Sequence, residues 1–76
     1  MADIKTLADD LPAQIKRVQE RRERWLQYGR ECPQMIVGPA CMMMQMEIDE
    51  GIAALASGDV VRMIKAHAEL AANDDD

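Results

Sequence analysis

Arg17, Arg21, Arg24 and Tyr28 recur at spacings of four, three and four residues, which on an α-helix places them within about 60° of one another. Guanidinium forks match phosphate and carboxylate groups bidentately, and an aromatic ring beside them can stack on a base. Trp25 stands at the border of the same face. Arg17, Arg21, Arg24, Trp25 and Tyr28 therefore form a candidate contact set for a small phosphorylated ligand such as a nucleotide, or for the acidic edge of a partner protein. The plainer reading, a solvated helix face whose charge is tempered by Glu20, stands beside it. Gly38 and Pro39 open a later helix, and the amides at its start are a further place where an anion could sit, so Gly38 joins the candidate contacts. Arg22 falls inside an apolar stripe, where its charge is costly unless paired; an ion pair with Asp49 or Glu50, or snorkelling to solvent, is the expectation, with a ligand contact as the other reading.

Other reactive side chains do not assemble. Cys32, Cys41 and His67 are nine and then twenty-six residues apart, unlike any zinc-ligand spacing, and neither cysteine belongs to a C-x-x-C pair. His67 is expected to be a packed structural residue. Asp49 and Glu50 are sequence neighbours, so on a helix they point about 100° apart and make no acid/base pair. With no phosphate-binding loop either, the expectation is a non-enzymatic protein with no metal and no cofactor.

These residues must be positioned by helices. Leu11-Pro12-Ala13 follows Asp9 and Asp10, a natural helix start because first-turn amides lack intrahelical acceptors. Helix one is expected from about residue 11 to residue 30, ended by Cys32-Pro33. Residues 1–9 are expected to form a separate turn or short helix, since Pro12 would otherwise lie inside a helix. Helix two runs from Gly38 to about Ala56. Ser57-Gly58-Asp59 is a stop and restart: Gly58 supplies a left-handed C-terminal cap, and Asp59 caps helix three, about Val60 to Ala72. Residues 73–76, Asn-Asp-Asp-Asp, read as a disordered acidic tail.

The fold class is all-α: one small three-helix domain over residues 1–76, a long first helix plus an antiparallel helix two–helix three hairpin. Leu11, Ile15, Val18, Trp25 and Leu26 share one stripe of helix one. Helix two has an apolar stripe of Cys41, Met44, Ile48, Ile52 and Leu55, and a second of Met42, Met46 and Ala53. Helix three offers Val60, Met63, Ile64, His67 and Ala71. A helix with two apolar faces needs two partners, and helix one has a single stripe to share between both members of the hairpin. A homodimer or higher oligomer is the expectation, with Met42, Met43 and Met46 as its candidate seam, since methionine fills irregular contacts well. Plain core filling and a pliable surface for several partners are the other readings of the methionines.

Composition agrees with a small globular module. Seventy-six residues leave room for one core of marginal stability. The net charge of −5 hides a local +4 over residues 16–30, leaving −9 elsewhere, so general nucleic-acid binding is not expected. No apolar run approaches a membrane span and nothing near Met1 reads as a signal peptide. The expected location is the cytoplasm, with both cysteines reduced.

The run Ala56-Ser57-Gly58-Asp59-Val60-Val61-Arg62-Met63-Ile64, with Leu11-Pro12-Ala13-Gln14-Ile15 and Ile36-Val37-Gly38-Pro39-Ala40, resembles short open reading frames of proteobacterial phages and prophages. This chain departs from them at Cys41-Met42-Met43-Met44. The resemblance implies a phage setting inside a host cell and assigns no binding residue. Two functions are expected from these readings: an accessory protein that binds and modulates a host protein, for example a defence component, or an oligomer that sequesters a small anionic ligand. A structural or assembly role is the third.

Overall fold

The computed structural model describes residues 4–73, with side chains from Leu7 onward. Three helices follow in order: α1 (Ile4–Glu31), α2 (Gly38–Ser57) and α3 (Val60–Ala72). α2 and α3 form a hairpin, and α1 packs along both. At about 1.5 Å per residue the 28 residues of α1 span roughly 42 Å, which matches the 43 Å long axis of the molecule.

Local chemistry accounts for the hairpin turn. Gly58 adopts φ 70°, a left-handed conformation that costs a glycine little. Its amide closes α2 on the Leu55 carbonyl at 3.3 Å. Asp59 then receives the amides of Val61 and Arg62 at 3.0 and 3.3 Å, satisfying two donors at the start of α3. Arg62 bonds both carboxylate oxygens of Glu50, at 2.7 and 3.0 Å, tying α3 to α2 beside the turn.

α1 corrects the expected separate N-terminal turn. The described residues from Ile4 onward belong to one helix that runs straight through Pro12. A mid-helix proline removes one hydrogen bond and crowds the preceding turn, at about 3 kcal/mol. Here Pro12 and Ala8 lie on the exposed side, where water can satisfy the deprived carbonyl. Leu7 and Leu11, one turn apart on the other side, are both buried in the core. Their packing holds the two turns in line across the proline.

The core joins Leu7, Leu11, Ile15 and Val18 of α1 to Met44, Ile48 and Ala54 of α2 and Met63, Ala66 and Leu70 of α3. The buried faces of the hairpin are rotated from those expected. Ile52 and Ile64 are 50% and 53% exposed, and Ala71 is exposed too. Gly51, Ala54, Ala66 and Leu70 are buried in their place. The cause is the closeness of the three helices. A β-carbon on Gly51 would stand 3.1 Å from both Ile15 of α1 and Leu70 of α3, so small residues occupy the line where all three meet. α1 and α3 consequently share one broad face of α2, and the face bearing Met42 and Met46 remains uncovered.

Candidate interaction surface

The arginine ladder is largely used within the fold. Arg17 donates through Nη2 to the Leu70 carbonyl at 2.7 Å and through Nε to Gln14 at 3.0 Å. Leu70 is in the last turn of α3, where carbonyls lack helical partners and a cation complements the dipole. Arg21 donates to the Asn73 side chain and lies over the Trp25 ring at 5.7 Å. Asn73 in turn donates to the Glu47 carboxylate, linking α1, α2 and the end of α3. Asn73 is therefore the C-cap of α3, its amide on Leu70 at 3.1 Å, and does not belong to a disordered tail; residues 74–76 lie outside the described residues. Trp25 is half-buried against the core, whereas Arg24 and Tyr28 are exposed, Tyr28 by 47%. Gly38 is exposed at the start of α2, well separated in sequence from the ladder, and no side chain caps that helix end.

Arg22 does not find its expected partner. Asp49 accepts from Gln45 at 2.8 Å and Glu50 pairs with Arg62. Arg22 instead approaches Glu23 at 3.4 Å, and its Nε is buried without a hydrogen bond. His67, half-buried, bonds Asp10 of α1. That bond holds the Asp10 carboxyl below the usual aspartate range, against an opposing contribution from desolvation. Arg62 does the same for Glu50, and Glu50 raises the Arg62 guanidinium in return.

The uncovered face of α2 carries three adjacent exposed apolar side chains: Met42 is 67% exposed and Met43 and Met46 are each 65% exposed. On a helical wheel the three span about 100°, with Glu50 between Met46 and Met43, Asp49 bordering one side and Glu47 the other. Beside them runs an open groove. One part, about 250 Å³, is lined by Met43, Met46, Glu47, Glu50 and by Glu69 of α3. The adjoining part, about 370 Å³, shares Met43, Glu47 and Glu69 and reaches Arg21, Trp25 and Asn73. Arg21 of the ladder and Trp25 at its border thus line one groove with Met43, across helices that are distant in sequence. Glu47, Glu69 and Asn73 were not singled out in the sequence, because their proximity exists only once α3 returns along α2. Among the described residues no group of three His, Cys, Asp or Glu side chains could hold a metal ion. No described helix is long and apolar enough to cross a membrane.

Comparison with protein-family models, curated proteins and solved structures returns no match to this chain.

Proposed function

We propose that this chain is a non-enzymatic protein-binding module, an accessory protein of the phage setting that its sequence resembles, acting on a host protein through the outward face of α2. The observation that carries this reading is that Met42, Met43 and Met46 are about two-thirds exposed beside a three-helix core that is closed without them. Exposed, adjacent, flexible apolar side chains suit a contact surface better than a core. Self-association through the same methionines is the alternative use of this face. Sequestration of a nucleotide is the weaker reading, because Arg17 and Arg21 serve to hold the end of α3.

The test compares wild-type protein with Met42→Lys/Met46→Lys as baits in host lysate, after circular dichroism has verified equal helix content. A stoichiometric host protein held by wild type and lost from the double variant is the expected result. Capture that is identical for both baits, or no stoichiometric partner for either, counts against the reading.

A further inference from the structure

The charge around the methionine face narrows the chemistry of its partner. α2 contains three acidic residues, Glu47, Asp49 and Glu50, and no lysine, arginine or histidine. Glu69 of α3 is the third carboxylate lining the groove, after Glu47 and Glu50. Arg62 pairs with Glu50, whereas the hydrogen bonds accepted by Glu47 and Asp49 come from the neutral amides of Asn73 and Gln45 and cancel no charge. Two copies of this chain joined symmetrically through α2 would bring both sets of carboxylates into one interface, which disfavours the contact. A basic surface is opposite in sign to these carboxylates, the nearby cations being Arg62 on Glu50 and Arg21 in the adjoining part of the groove.

Resting on the protein-binding reading above, we infer that the groove beside Met43 and Met46, walled by Glu47, Glu50 and Glu69, is a docking site for a basic amphipathic helix of another protein. The apolar stripe of such a helix, with residues at i, i+3, i+4 and i+7, covers the methionines. Its flanking lysines or arginines lie opposite the carboxylates. Methionine adapts to apolar side chains of differing shape, so charge sets the orientation and the apolar stripe supplies the burial.

A fluorescein-labelled model helix of about 18 residues, built of leucine and lysine with leucine at those positions, is the probe, followed by fluorescence anisotropy. Its controls are a peptide of the same composition with the leucines dispersed, and a leucine–glutamate peptide with the same pattern. The patterned basic helix is expected to bind at least roughly tenfold tighter than either control. Met46→Lys and, separately, Glu69→Lys are each expected to weaken that binding by about tenfold or more while leaving helix content unchanged. Equal binding of the dispersed peptide, or binding that neither substitution alters, overturns the assignment. So does a dimer of the wild type in native mass spectrometry that Met46→Lys dissociates, because the face is then occupied by a second copy. If the basic helix fails to bind while the methionine substitutions still abolish capture of a host protein, the partner chemistry is wrong and the protein-binding reading stands; if capture also survives the substitutions, both fall.

Discussion

Arg22 carries an unsatisfied group where the sequence called for a paired one: its Nε is buried without an acceptor. Methionine at this position keeps most of the aliphatic packing and removes the orphaned donor, whose burial costs about 1–3 kcal/mol. Arg22→Met is therefore expected to raise the melting temperature by several degrees, on the scale of roughly 4–8 °C per kcal/mol for a domain of this size. A thermal melt followed by circular dichroism reads this directly, and a lowered midpoint would contradict it. Asp10 behaves oppositely, since its partner is in place. Its folded pKa lies below the ordinary 3.8, so its contribution to stability is complete above that value and is lost as the pH falls through the lowered folded value. The difference in melting temperature between wild type and Asp10→Asn should be full at about pH 5 and should close as the pH falls below 3.8. A difference that persists unchanged into strong acid would rule out this linkage. Neither the Asp10–His67 bond nor the engagement of Glu50 by Arg62 rather than Arg22 was legible in the sequence, because each depends on which faces of two separate helices meet.

At the scale of the elements, the starts and stops are written locally. Pro33 follows the last turn of α1, Gly38-Pro39 opens α2, and Gly58-Asp59 ends one helix and begins the next, each through the backbone preference of one or two residues. Rotation of the helices about their own axes is not local. The apolar residues of α2 are compatible with more than one facing, and Gly51 decides between them by allowing α1 and α3 to approach together. Gly51→Val would drive branched methyl groups into Ile15 and Leu70, at an expected cost of about 2–3 kcal/mol. Gly51→Ala sets a helix-propensity gain of about 1 kcal/mol against a β-carbon contact that requires its neighbours to shift slightly, and should fall within about 1 kcal/mol of wild type. Urea unfolding of both variants measures the pair, and a valine variant as stable as wild type would show that the three helices do not converge at this point.

Across the whole molecule, the methionines separate from the core. Met42 and Met46 lie outside the core shared by α1, α2 and α3 and are about two-thirds exposed, so the Met42→Lys/Met46→Lys protein is expected to melt within a few degrees of wild type, as substitutions at exposed positions usually do. A large fall in its midpoint would mean that the face is buried in solution, against a second copy or otherwise. Charge is also organised at this scale. Basic side chains gather on α1, where Arg17 and Arg21 reach across to the end of α3, and acidic ones border the exposed methionines of α2.

An all-α chain, its three helices, the turn at Gly58-Asp59 and a second apolar face on α2 were all legible in the order of the residues. These follow from backbone preferences and from the period of the apolar residues, which act over a few positions. Packing of the three helices set the rest: the first helix continues through Pro12, small residues rather than Ile52 and Ile64 occupy the meeting line, two arginines of the ladder hold α3 in place, and Glu69 joins Met43 and Glu47 at one groove. Each of these depends on the relative placement of helices that are remote in the chain, where burial and closeness of approach override the preference of any single segment.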